Sequence, residues 1–155
     1  TNIGAVLAME PSKTALLIDC NLNDPSLGSL LDVAPDYGIT DYLAEDHLRP
    51  NDIIYASGIP RVRVVPVGTH IETGAEHFSS QRMTDFIQSL KKRYPDRFIV
   101  IDAPPIGVAA EARILSECCD FAVLVVPYGK VISKQVKSAI DVVGEEKIAG
   151  LIFNN

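Results

Sequence analysis

A chain of 155 residues with 47% hydrophobic and 22% charged side chains has the length and mix of one folded domain with a real core, which excludes a disordered or low-complexity protein. The formal net charge of −6, from 14 basic and 20 acidic side chains, speaks against a nucleic-acid-binding surface, because such a surface needs a positive field to meet phosphates. No apolar run is long enough to cross a bilayer and no signal peptide is visible, while the three cysteines (Cys20, Cys118 and Cys119) lack metal-ligand spacing and fit small buried hydrophobes in a reducing, cytoplasmic setting.

Taken in chain order, residues 2–9 read as a helix already under way. A crossover helix needs a strand on each side, so one strand and its following loop are expected upstream of Thr1. Thr14–Asp19 is an unbroken apolar run ending in an acid, the pattern of a strand covered on both faces. A short helix follows at 39–43, with Gly38 before it. Residues 62–66 form a weaker strand, where Pro66 predicts an edge position or an early stop. The stripe of Met83, Phe86, Ile87, Leu90 and Tyr94 predicts a helix over 79–94, stopped by Pro95. Strand 98–102 repeats the apolar-then-acid design of the first. Helix 109–119, strand 121–126 with Pro127 as its stop, helix 133–143 ending near Gly144, and strand 149–153 complete the chain. Alternating strands and helices predict a single α/β domain over residues 1–155, with a mostly parallel sheet flanked by helices.

Ligands of an open parallel sheet bind outside the carboxyl ends of its strands. Asp19, Asp102 and Asn154 each occupy such an end and are expected to converge on one crevice. A strand-end carboxylate offers a rigidly placed hard oxygen for Mg²⁺ or its water beside phosphate. The same residue could equally cap the helix or turn that follows it. Other polar residues suggest less: His47, His70 and His77 show no paired spacing and read as loop or surface positions. Lys91–Arg93 complement a helix C-terminus, and the five tyrosines are scattered and read as packing residues.

Several segments together resemble bacterial tyrosine kinases of exopolysaccharide synthesis, a branch of the deviant-Walker P-loop superfamily. Residues 16–27, with Asp19, Asn21 and Asn23, resemble the second Walker A-like motif, three apolar residues and then D-x-D-x-R. Residues 99–105, with Asp102, Pro104 and Pro105, resemble the Walker B motif, three apolar residues and then D-x-P-P. Residues 37–43 resemble the family's G-L-x-D-Y-L, residues 64–68 its L-P-x-G, and residues 150–154 its G-V-x-x-N. The stretch 80–96 resembles kinases linked to exosortase-type systems. The order is the family's and covers nearly the whole chain.

The resemblance implies a P-loop NTPase-like fold, with the first strand and Walker A loop expected before Thr1. It implies Asp19 and Asp102 as catalytic and metal-side residues, with Asp19 also placed to activate an attacking hydroxyl. It implies Asn21, Pro104, Pro105 and Asn154 at the nucleotide, and ATP with Mg²⁺ as cofactors. It further implies a membrane-anchored polysaccharide co-polymerase or activator as partner, a homo-oligomer, and a place at the inner face of the cell membrane without insertion by this chain. Asn21 replaces the motif's second Asp, and Asn23 its Arg, removing one carboxylate and one positive charge. These changes keep open a non-catalytic pseudokinase or co-polymerase module of the same fold. A partition or septum-site type ATPase is a further alternative.

Overall fold

The computed structural model describes residues 2–30, 34–106 and 110–154, in two compact units, Thr1–Pro104 and Pro105–Asn155. In the first unit a four-stranded sheet runs in the order β2-β3-β1-β4. Strand β1 (Thr14–Asp19) lies parallel to β3 (Val62–Val65) on one side and to β4 (Arg97–Asp102) on the other, and β2 (Tyr55–Ala56) closes the β3 side antiparallel. Residues 15–18 of β1 are at most 1% exposed, which explains their unbroken apolar run. One face of the strand packs Ala15 and Leu17 with Ala8, Leu27, Val62 and Val64.

Strand β3 stops at Val65, one residue before Pro66, so the proline's missing N–H removes no ladder bond. It is nevertheless not the edge, because the two-residue β2 covers it. A pair that short leaves no periodic signal in a sequence.

Helix α1 (Asn2–Leu7) precedes β1, and α2 (Ile39–Ala44) follows Gly38 as expected. The helix expected over 79–94 is α4 (Gln81–Arg93), which buries Met83, Phe86, Ile87 and Leu90. It starts where the Ser80 hydroxyl accepts the Met83 N–H at 3.2 Å. Residues immediately upstream form a separate helix, α3 (Ile71–Phe78), that the sequence reading did not separate out. Gly74 in its middle weakens the local helix signal. Ser80→Ala should destabilise the protein by about 1 kcal/mol, read from urea unfolding, because it removes the cap of α4.

Arg82 fastens α4 to α2. Its guanidinium donates to the carbonyls of Tyr42 (2.7 Å), Glu45 (2.9 Å) and Leu48 (3.2 Å) and lies 4.4 Å from the Tyr42 ring centre. The terminal carbonyls of α2 thereby gain charged donors. Tyr42 in turn stacks on Phe86 at 5.0 Å.

In the second unit, β5 (Ala122–Pro127) and β6 (Ile148–Asn154) pair in parallel, with a register shift between Ala122 and Val123. Helices α5 (Ala110–Glu117) and α6 (Ser133–Val143) belong to the same unit. Residue 109, expected to begin the first of these, lies outside the described residues. Pro127 is the last residue of the β5 ladder, and α6 has the predicted bounds. Cys20 is buried as expected, whereas Cys118 and Cys119, at the end of α5, are only partly buried. Among the described residues no helix is long and apolar enough to cross a membrane.

Candidate functional site

Adjacent parallel strands in register bring their carboxyl-terminal residues side by side. Asp19 ends β1 and Asp102 ends β4, and the two are direct register partners. Just beyond them, the Cys20 N–H donates to the Asp102 carbonyl at 2.9 Å and holds the two strand ends together.

The Asp19 side chain is fully buried. Its carboxylate accepts backbone N–H bonds from Asn21 (3.2 Å), Ser26 (3.0 Å) and Leu27 (2.9 Å). Those bonds wrap residues 20–27 around the acid and start the 3-10 turn at Leu27–Leu30. The capping role weighed for a strand-end acid is therefore filled. Of the two carboxylate oxygens, Oδ2 takes two of the donors and Oδ1 only one, which leaves Oδ1 acceptor capacity toward a further partner.

Asp102 is less enclosed. Burial and the neighbouring Asp19 charge both push its carboxyl above the ordinary value of 3.8. Asn21 carries a side-chain Oδ1 that is shielded from solvent and has no hydrogen-bond partner. Pro104 is buried after β4, whereas Pro105 is exposed and opens the second unit. Asn154 ends β6 in that second unit, where its carbonyl accepts the Tyr128 N–H at 2.7 Å. The structure thus brings Asp19, Asn21 and Asp102 to one end of one sheet.

A cavity of about 250 Å³ opens beside Asp19, bounded by the segments that follow β1 and β3. Residues 35–37 form one wall and residues 66–69 the other. Both walls are tied to Asp41 of α2, a residue that the sequence reading placed within the 37–43 motif without giving it a role of its own. This carboxylate is 1% exposed and accepts the Gly38 N–H (2.7 Å), the Thr69 N–H (3.0 and 3.1 Å to its two oxygens), the Thr69 hydroxyl, and Nδ1–H of His70 (2.8 Å). Burial alone would raise its pKa, but the bonds from Thr69, His70 and Gly38 outweigh burial and hold it below 3.8. Thr40 adds a hydroxyl bond to the Val67 carbonyl at 2.8 Å. An acid at the third position of a helix, reaching back to the residue before it, is the half of a capping box that sequence can show.

Backbone space is as tight as the bonding. Gly68 has φ +94°, and a Cβ there would stand 2.4 Å from Asp41 Oδ2. One at Gly38 would meet the Gly68 nitrogen at 2.2 Å. Gly68→Ala should destabilise the protein by about 1–3 kcal/mol in denaturant titration, from the strained backbone alone. His70 does lie on the surface as expected, with its side chain 44% exposed, but its ring is fixed by Asp41.

The donor set suits a hard divalent cation. Two carboxylates of like charge and an unpartnered amide oxygen are all oxygen ligands, and Mg²⁺ takes one or two carboxylates while phosphate oxygens and water complete its shell. Among the described residues there is no group of three His, Cys, Asp or Glu side chains that would cage a metal without such help.

No family profile matches the chain. It is 28% identical to the tyrosine-protein kinase CpsD of Streptococcus agalactiae over 156 residues, covering 99% of this chain and 67% of that protein. It is 28% identical to the tyrosine-protein kinase YwqD of Bacillus subtilis, covering 97% and 63% respectively. The chain thus spans about two thirds of the length of these relatives. Among solved structures, the VpsO kinase domain superposes with a TM-score of 0.87 at 24% identity, over 99% of this chain and 75% of that one. The septum-site-determining protein MinD of Pyrococcus horikoshii, solved with Mg-ADP, superposes with a TM-score of 0.72 at 24% identity, over 96% and 60%. The chain therefore has the P-loop NTPase-like fold of those two structures and is a homologue of the bacterial tyrosine kinases.

Proposed function

We propose that this chain is the ATP-dependent tyrosine-kinase module of a bacterial exopolysaccharide system, working in the regulation of chain length or export. The observation that carries the reading is the register pairing of Asp19 with Asp102, a buried and a half-buried acid held side by side, with the Asp102 carboxyl pushed up by burial and by the Asp19 charge. Magnesium with ATP would supply the transferable phosphoryl group and neutralise the charge that develops on it. Asp102, with the more accessible carboxyl, and Asn21, with its unpartnered oxygen, are the metal-side ligands in this reading. Asp19 is held rigid by three N–H bonds and turns Oδ1 to the metal or to an acceptor hydroxyl arriving from the cavity. Pro104 and Pro105 shape the loop beyond Asp102.

Relatives named as tyrosine-protein kinases support the activity. The P-loop ATPase fold supports nucleotide and Mg²⁺ as ligands. In this reading the module sits at the inner face of the cell membrane, held by a membrane-anchored polysaccharide co-polymerase, and assembles with copies of itself. The Asn21 and Asn23 substitutions favour a second reading, a module that binds nucleotide and signals to its partner without transferring phosphate.

The test uses the protein as its gene encodes it. Calorimetry with ADP should show binding that is present with Mg²⁺ and abolished by EDTA, and incubation with Mg-ATP should produce phosphotyrosine. Binding without phosphotyrosine selects the non-catalytic reading. ADP binding indifferent to EDTA, or no binding, overturns both.

A further inference from the structure

The Asp41 cluster has no assigned part in phosphoryl transfer, yet its partners are the two walls of the cavity beside Asp19. Gly38 directly follows residues 35–37 on one wall, and Thr69 ends the other. Four donor groups from two segments, about thirty residues apart in sequence, meet on a single carboxylate. Helix α2 also receives the second wall through Ile39 N–H to the Pro66 carbonyl (2.9 Å) and Thr40 N–H to the Val67 carbonyl (2.9 Å).

A buried charge is an expensive way to begin a six-residue helix, since a neutral side chain would satisfy a single N–H at far less desolvation penalty. What the charge adds is strength and direction. Hydrogen bonds to an ionised acceptor are shorter and roughly twice as strong as neutral ones. Gly38 and Gly68 remove the two Cβ atoms that would keep the walls from closing on the acid. The construction fixes one wall against the other at the mouth of Asp19.

We propose that Asp41 is a positioning residue for phosphoryl transfer: through Gly38, Thr69 and His70 it sets the spacing of the cavity walls and so the place of the acceptor group relative to Asp19. The proposal rests on the kinase reading. It assigns the cavity to the acceptor and leaves the nucleotide to the Asp102 side of β1. Asp41→Asn keeps the shape but puts an amide N–H₂ where donors already converge, so at least one bond is lost and the walls separate.

The measurement is steady-state transfer to the copolymer poly(Glu,Tyr), with Mg-ADP affinity taken alongside by calorimetry. Asp41→Asn should raise the acceptor KM or lower kcat by about 10- to 100-fold, the scale expected when a reacting group is displaced by an ångström, while Mg-ADP affinity stays within twofold. His70→Ala, at a half-exposed site that should tolerate truncation, removes one donor and should shift the same parameters in the same direction by a smaller factor; it decides the matter if Asp41→Asn does not fold. Lowered melting temperature with wild-type kcat and KM in the folded fraction would reduce Asp41 to a structural residue and overturn the proposal. Equal losses in Mg-ADP affinity and in transfer would overturn it too, by moving the effect to the nucleotide. Absence of transfer by the wild-type protein removes the kinase reading and this role together, whereas transfer by the wild type with Asp41→Asn unchanged removes the role alone.

Discussion

Asp102→Asn is expected to lower phosphoryl transfer by on the order of 100-fold, the usual effect of deleting one preorganised electrostatic group, while raising the melting temperature of the nucleotide-free protein near neutral pH. Both effects come from one geometry. Parallel register places Asp102 next to Asp19, and burial removes much of the water that would screen them. Without a cation the pair is a liability to the fold; in the proposed reading a cation turns it into the binding site.

The sign follows from linkage. Asp102 in the folded chain titrates above its ordinary value of 3.8, so between those two pH values the folded state holds the extra proton. Stability therefore falls as pH rises through that window, and the penalty is complete above it. The asparagine variant carries no such penalty. Its advantage should be largest near neutral pH and vanish below about 3.8, where both forms of the aspartate chain are protonated. Adding Mg²⁺ and ADP should reverse the order, since ligand that binds only the folded wild type stabilises it by mass action. Melting curves at several pH values, with and without Mg-ADP, read all of this. A variant less stable than wild type at neutral pH would show that the two acids do not repel. Unchanged transfer would remove Asp102 from the metal side.

The paired acids were legible because two physical demands coincide there. A strand covered on both faces reads as an unbroken apolar run, and a charged residue can end that run where backbone N–H groups of the following loop turn in to meet it. Thr14–Asp19, which is covered, and Arg97–Asp102, which is only half-buried with Phe98 exposed, both end in such an acid, and parallel pairing does the rest. Helix α6 was legible to the residue because Gly144 marks its end. Strand β2 and helix α3 were not. Strand β2 has two residues, and α3 has a glycine at its centre. The role of Asp41, visible only as one acid of the 37–43 motif, was hidden for a different reason: it lies in partners 28 and 29 positions away, a separation no local pattern encodes. Nor does a sequence show that Asn21 Oδ1 lacks a partner, since that depends on how residues 20–27 close around Asp19.

Removing Asp41 altogether should be the most damaging single change in the first unit outside its apolar core. Asp41→Ala leaves the buried Gly38 N–H and the part-buried Thr69 N–H without their acceptor, and leaving buried donors unsatisfied destabilises by about 1–3 kcal/mol each. The loss should depend on pH in the sense opposite to that of Asp102. Hydrogen bonds from Thr69, His70 and Gly38 hold the folded carboxyl below 3.8, so its contribution is complete above that value and is lost as pH falls through the folded value. Urea unfolding of wild type and variant should therefore show a gap that is constant from neutral pH down to about 4 and narrows in more acidic solution. Asp41→Asn, which retains acceptor capacity for some of the donors, should fall between them at neutral pH. A gap that widened on acidification would mean that the carboxylate is destabilising where it sits, and the account of Asp41 as the clasp between α2 and the segment after β3 would fail.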